Sequence, residues 1–280
     1  PDPVVPGAAP LPLIDPEKSK AWLAEWDRCR TPWRVGLPNF ARLTAYDANG
    51  KSHGHMREWN WDSICFNDAL VLTRATDLGV TLFRARAGTR IGNTPLHEQQ
   101  LLAARWPDRG ALSELISAAK KTSARGMILF RLPDSTAASG WSLRQLQHLD
   151  AAPHLTLQKA GASEQLELTN EGDGDLEPVF GTETEPLARG YAVQIEAETP
   201  IFREAEEGDF WRVHGEIERD ARASTVMIPL ATRLSFSFSQ LRAGQSLKSG
   251  LIRLAPGANL SQTRFRIVKS SQGAWKPFQE

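Results

Sequence analysis

The first half of the chain alternates helical and strand patterns of hydrophobic residues. Apolar positions recur with helical spacing over 16–29, 112–119 and 142–149, whereas 33–38 and 126–132 are short apolar segments. An unbroken apolar segment that directly follows a helix is typical of a parallel strand covered on both faces. This order predicts an α/β fold for residues 1–152, in the form of a partial or half (β/α)-barrel.

Two local patterns add detail to this half. Trp22 and Trp26 are one helical turn apart, and the spacing of their neighbours assigns them to a face that packs on the core. The Asn49-Gly50 pair lies between two strand-like segments and predicts a β-hairpin over 42–56. We therefore expect an excursion between the two apolar strands.

The second half of the chain has a different pattern. From Pro153 onward, apolar and polar residues alternate in short segments that glycine, proline, asparagine and aspartate separate. The segments are 154–159, 165–169, 191–197, 210–214, 233–239, 247–254 and 263–268. Seven short strands without a helical stretch predict an all-β antiparallel sandwich for residues 153–280.

Charge and cysteine content narrow the classes of protein. The chain has 33 basic and 33 acidic residues, so its formal net charge is zero. This balance argues against a nucleic-acid-binding protein and against a polybasic membrane-surface protein, and no apolar run is long enough to span a membrane. Cys29 and Cys65 match no zinc motif and are either both reduced or joined in one bridge, which an oxidising compartment favours.

Six segments spread over nearly the whole chain carry a resemblance: 32–38, 47–51, 126–133, 141–143, 168–173 and 251–257. Together they resemble the C-terminal portion of a bacterial family, a domain of unknown function, with a glycosidase-like (β/α)-barrel followed by a small β-sandwich. The family's N-terminal barrel strands have no counterpart in this sequence. The resemblance, with the loop-like start at Pro1, implies that a preceding segment or a second chain completes the barrel. We then expect an incomplete sheet with a long apolar edge.

Loops at the carboxyl ends of barrel strands carry the functional residues of such folds. A glycosidase needs two carboxylates, one on each side of the bond that it cleaves. Glu58 and Asp134 are the candidate catalytic pair, because both follow the predicted strands. The plainer interpretation stays open that Glu58 is an exposed hairpin residue and Asp134 a turn residue.

The same loops supply aromatic rings that can stack on a sugar and polar groups that can bind its hydroxyls. The candidate substrate-binding residues are Asn39, Trp59, Trp61, Arg131 and Trp141. The chain has nine tryptophans, and burial in a large core is the alternative explanation for such rings.

Two sets of residues partly match known metal-binding patterns. His53 and His55 would point to the same side of a strand with Glu58 close by, but a water-exposed hairpin explains them better. The acidic segment 170–177 lacks the spacing of a hand-type calcium loop, and a turn between strands explains it equally well. No metal and no cofactor is therefore predicted.

The sequence thus predicts a carbohydrate-binding or glycoside-hydrolase-like protein of the bacterial envelope or periplasm, with a polysaccharide or oligosaccharide as its partner. The alternative is a non-catalytic structural or interaction protein that keeps a degenerate barrel. Both hypotheses rest in part on fold analogy, which constrains function only weakly.

Overall fold

The computed structural model describes residues 11–130, 140–160, 164–181, 189–217, 230–269 and 276–277. These residues divide into two compact units, one up to residue 149 and the other from residue 150 onward. The predicted limit at 152/153 falls close to this division. That the two parts fold independently stays a prediction.

The first unit contains helices and strands in mixed order. Its helices are α1 (Pro16–Trp26), α2 (Asp62–Cys65), α3 (Arg109–Ala119) and α4 (Leu143–Gln147). Its strands are β1 (Val35–Pro38), β2 (Arg42–Tyr46), β3 (Ser52–His55), β4 (Leu70–Thr76), β5 (Val80–Ala85), β6 (Thr89–Ile91), β7 (Thr94–Leu96), β8 (Leu101–Arg105) and β9 (Met127–Phe130).

The prediction of a partial or half (β/α)-barrel is wrong. Five strands of the first unit form an antiparallel sheet in the order β3-β2-β8-β5-β4, and β6 and β7 form a hairpin. A barrel needs a helix after each parallel strand, whereas the described residues contain four short helices, and hairpins link most of the strands. The predicted β2–β3 hairpin is confirmed.

The two apolar segments do form a parallel pair. β1 and β9 are neighbours in a two-stranded sheet, with Val35 opposite Met127 and Leu37 opposite Leu129. Val35 and Leu37 are buried in a core that they share with α1 and α3. The register places Ile128 and Phe130 on the opposite face of the sheet.

That opposite face is exposed, so the expected burial of β9 on both faces is wrong. On this face Ile128 is 52% exposed and Phe130 68%, and Met127, beside Val35 on the other face, is 39% exposed. Among the described residues no strand pairs with the outer edge of either β1 or β9. The pair is thus a short two-stranded sheet with unpaired outer edges in the described part of the chain, and its completion by a further segment stays a prediction.

The second unit consists of strands. These are β10 (Leu155–Lys159), β11 (Leu166–Asn170), β12 (Tyr191–Ala197), β13 (Phe202–Ala205), β14 (Arg212–Ile217), β15 (Ala231–Phe238), β16 (Ser246–Lys248), β17 (Ile252–Leu254), β18 (Thr263–Lys269) and β19 (Lys276–Pro277), with a 3₁₀ turn at Leu260–Gln262. They form a three-stranded sheet, β10-β11-β16, and a seven-stranded sheet, β17-β13-β15-β12-β18-β19, in which β14 also pairs with β15.

These sheets have a sandwich-like arrangement. Buried and half-buried residues alternate along β12, as period-two patterning requires. Leu166 and Leu168 of the smaller sheet share one core with Val193, Ile195 and Phe236 of the larger sheet. The β-sandwich character predicted for the second half is thus present.

Two further expectations concern membranes and cysteines. No helix among the described residues has the length and apolar character needed to cross a bilayer. Cys29 is exposed, Cys65 is buried, and no disulfide joins them, so the bridge expected for an oxidising compartment is not formed.

Candidate functional site

A groove of about 320 Å³ lies between α1 and β1 in the first unit. Three indole rings line it, those of Trp22, Trp26 and Trp33, and on the sheet side it reaches Gly36 and Pro38. Most of its wall is therefore apolar.

The exposed tryptophans of this groove come from the way α1 packs. Leu23 turns toward the core, whereas Trp22 is 64% exposed and Trp26 55% exposed. The rings of Trp26 and Trp33 lie close together, with centroids 6.3 Å apart. Rings of this size exposed next to one another form an apolar patch on the surface of the first unit.

The backbone of β1 forms the second wall and is open along this side. Val35 N donates to Gly126 O at 3.0 Å, and Asn39 N donates to Phe130 O at 2.6 Å, so the odd-numbered residues of β1 bond to β9. In a parallel ladder the residues between them turn their N–H and C=O groups the other way. Arg34 and Gly36 consequently present backbone groups to the outer edge, where no described strand pairs with them.

Space is available at this edge. A Cβ atom added at Gly36 would meet no atom within 4 Å. On the face of the sheet that bears Ile128, Phe130 packs edge-on against Phe40 with ring centroids 5.8 Å apart. The groove and the open edge of β1 together make one apolar surface, which we call the open-edge surface.

Two of the predicted substrate-binding residues form a buried latch at the end of β1. The Asn39 side chain accepts from Trp141 N at 2.7 Å and donates to Trp141 O at 3.0 Å. The indole N–H of Trp141 donates to Pro107 O at 2.9 Å. The structure thus brings Asn39 and Trp141 together in a structural contact, and a role for them in sugar binding stays a prediction.

The predicted ring platform at Trp59 and Trp61 packs into the core. Trp61 is 2% exposed, and its ring meets Trp59 and Trp106 edge-on, with centroids 4.9 Å and 5.5 Å away. Trp59 keeps part of its surface in water. Buried indoles of this kind match the core interpretation of the tryptophan content.

Of the predicted catalytic pair, only Glu58 lies among the described residues. Glu58 is exposed and has a left-handed backbone with φ of 55°. Its carbonyl oxygen would lie 2.2 Å from a Cβ atom added at Gly92, which has a φ of +52°. Asp134 and Arg131 lie outside the described residues, so a pairing of Asp134 with Glu58 stays a prediction.

The acidic segment near residue 170 is a hydrogen-bonded turn. The Asn170 amide donates to Gly174 O at 2.8 Å and to Leu241 O at 3.1 Å, and Asp175 accepts from Ala243 N at 2.8 Å. These bonds engage the Asn170 amide nitrogen and an oxygen of the Asp175 carboxylate in holding the turn. In the described ranges no group of three histidine, cysteine, aspartate or glutamate side chains is arranged to hold a metal ion.

Sequence reasoning missed the open-edge surface because helical spacing does not say which part of an apolar stripe is buried. Trp22, Leu23 and Trp26 span only the ordinary width of a core-facing stripe, so the sequence carries no signal that part of it is exposed. A scan against protein-family models finds no match for this chain, and a search of curated proteins finds no significant relative.

Proposed function

We propose that the chain is an interaction protein that receives an extended segment of a partner protein at the outer edge of β1. The observation that carries this proposal is the two-stranded parallel sheet with an open edge beside a tryptophan-lined groove. Strand addition to an exposed sheet edge is a common mode of peptide recognition, in which main-chain bonds give affinity and side-chain pockets give specificity.

The energetics favour an occupant of this kind. Parallel sheets are normally covered on both faces, and two strands alone are marginal in water. Burial of one large apolar side chain contributes about 1.5–3 kcal/mol, and the open-edge surface offers Trp22 and Trp26. An extended segment can also pair with the outward backbone groups of Arg34 and Gly36, which are exposed in the chain alone.

The proposal fixes the chemistry of the segment. Alternate side chains of an added strand point to opposite faces of the sheet. Those directed toward α1 meet Trp22 and Trp26 and are therefore apolar.

Selection from a displayed library of random extended peptides tests this proposal, with Gly36→Pro as the key variant. Proline removes the outward N–H of residue 36 but leaves the bonds of Val35 and Asn39 to β9. We expect the selected peptides to alternate apolar residues and to lose binding to Gly36→Pro by about tenfold or more, as the loss of a hydrogen bond plus a steric clash implies.

Gly36→Ala is the matched control, because its added methyl group meets no atom within 4 Å. It should bind the selected peptides as the unchanged chain does. A selection that yields no binders, or binders that tolerate Gly36→Pro, would contradict the proposal.

A second candidate function is carbohydrate binding in the cell envelope, which the exposed rings of Trp22 and Trp26 favour. Flat aromatic rings can stack on a sugar. In this candidate function the stacking rings are those of α1 and not the predicted Trp61. A glycan array with Trp22→Ala and Trp26→Ala tests it, with Trp211→Ala, an exposed tryptophan of the second unit, as the control. Sugar binding that survives Gly36→Pro but not the α1 variants would support this function over strand addition.

A further inference from the structure

Arg105 is a buried arginine whose described partners are all neutral. It lies at the end of β8 and is 6% exposed. Its guanidinium donates to Leu11 O at 2.8 Å, to Thr44 Oγ1 at 3.2 Å and to the Tyr46 hydroxyl at 2.9 Å. The Tyr46 ring also lies 6.0 Å from the guanidinium carbon. These contacts satisfy three N–H groups but bring no negative charge.

Two more basic groups lie on the same face of this sheet. Arg42 is directly opposite Arg105 in the ladder between β2 and β8. The Arg42 Nε atom donates to His55 Nδ1 at 3.0 Å, and Arg42 Nη2 contacts His55 Nε2. Thr44 Oγ1 lies 3.2 Å from His55 Nδ1 and also accepts from Arg105, so this hydroxyl group connects Arg105 to the pair of Arg42 and His55.

The charges of this cluster are not compensated within the described part of the chain. Neither Arg42 nor Arg105 has a carboxylate within salt-bridge distance among those residues. Like charges directly opposite each other destabilise a sheet, and a buried charge is costly unless it is paired. Burial, then Arg42 and Arg105, lower the pKa of the His55 ring, which accords with an excess of positive charge here.

We infer that Arg42, Arg105 and His55 form a binding site for an oxyanion, such as the phosphate group of a small ligand. Guanidinium groups match the oxygens of such anions in geometry and charge. Arg42 is half-buried and His55 exposed, so an anion reaches the cluster from this side. Arg105 has two N–H groups beyond the three engaged ones.

Titration of the purified chain with inorganic phosphate tests this inference. Ionic strength is held constant with chloride, because screening alone changes the stability of a charged surface. We expect the melting temperature to rise with phosphate concentration, because a ligand that binds only the folded state stabilises it. The ring of His55, followed by NMR, should show an increase in its pKa when the anion is bound.

Arg42→Gln is the key variant, since Arg42 is partly exposed and its replacement leaves the buried bonds of Arg105 in place. We expect it to weaken phosphate binding about tenfold, the effect of one charge-assisted hydrogen bond. Arg84→Gln removes the same charge from an exposed position on β5 of this sheet and should leave the affinity unchanged.

The inference fails if phosphate does not raise the melting temperature, or if Arg42→Gln and Arg84→Gln respond equally. Arg105→Gln gives a second test when circular dichroism shows that it is folded, because it too should lose the response. Gly36→Pro should keep the phosphate response, which separates this site from strand addition.

Discussion

At the residue scale, Glu196 shows how charge is paired on the larger sheet of the second unit. Its carboxylate accepts from Arg264 at 2.6 Å and from Arg233. Burial alone would raise the pKa of this carboxyl, but the hydrogen bonds from Arg233 and Arg264 outweigh it and hold the pKa below its ordinary value of 4.5. The folded state therefore prefers the charged form of Glu196.

A carboxyl whose pKa is lowered by folding stabilises the protein above its unfolded pKa and loses that contribution as the pH falls through the folded value. We expect the free energy of unfolding to fall as the pH drops below 4.5, and to fall less steeply in Glu196→Gln. Urea unfolding at a series of pH values measures this, with Glu198→Gln, at an exposed position, as the control. If the free energy of unfolding fell equally steeply with pH in Glu196→Gln and Glu198→Gln, the proposed contribution of Glu196 would be contradicted.

At the element scale, local sequence patterns predicted the positions of several strands but not which of their faces are buried. The β2–β3 hairpin and the parallel strands β1 and β9 follow from turn chemistry and from short apolar runs. Their burial depends on neighbours distant in sequence, so the exposed face of β9 was not predictable. The same holds for α1, where spacing alone did not separate buried Leu23 from exposed Trp22.

The central strand β8 explains the wrong fold class. Its sequence, Leu-Leu-Ala-Ala-Arg, is rich in alanine, which has a low strand propensity. The segment therefore has no clear strand signal in the sequence, yet β8 pairs with both β2 and β5 and makes one antiparallel sheet of them. Without β8 the neighbouring hairpins look like excursions from a barrel.

The latch between Asn39 and Trp141 belongs to the element scale as well, because it fixes the end of β1 to the start of α4. In Asn39→Ala the backbone N–H and C=O of Trp141 lose their side-chain partner inside the core. We expect a loss of about 1–3 kcal/mol in the free energy of unfolding for each group left unsatisfied, measured by chemical denaturation.

Asn39→Asp keeps the acceptor for Trp141 N but buries a carboxylate against Trp141 O, so its loss at neutral pH should be at least as large as that of Asn39→Ala. A variant that keeps full stability but loses sugar binding would instead support the predicted role of Asn39 in a substrate site.

At the scale of the whole molecule, the division into two compact units near residue 150 predicts where a protease first cuts. Domain boundaries lie in exposed segments that few contacts cross. Limited proteolysis should cut close to Asp150–Pro153 and leave a stable fragment of the second half, which mass spectrometry identifies. A first cut inside 165–270 would contradict two separately folding parts.

The parallel pair of β1 and β9 also constrains the order in which the first unit is assembled. Val35 and Met127 are ladder partners, so the whole five-stranded sheet lies in the chain between them. Hairpins such as β4–β5 close short loops and form in microseconds, whereas pairing of distant strands must first overcome the entropy of a long loop. We therefore expect local hairpins to precede the parallel ladder on the folding pathway, and the open-edge surface to be among the last parts of the first unit to acquire its shape.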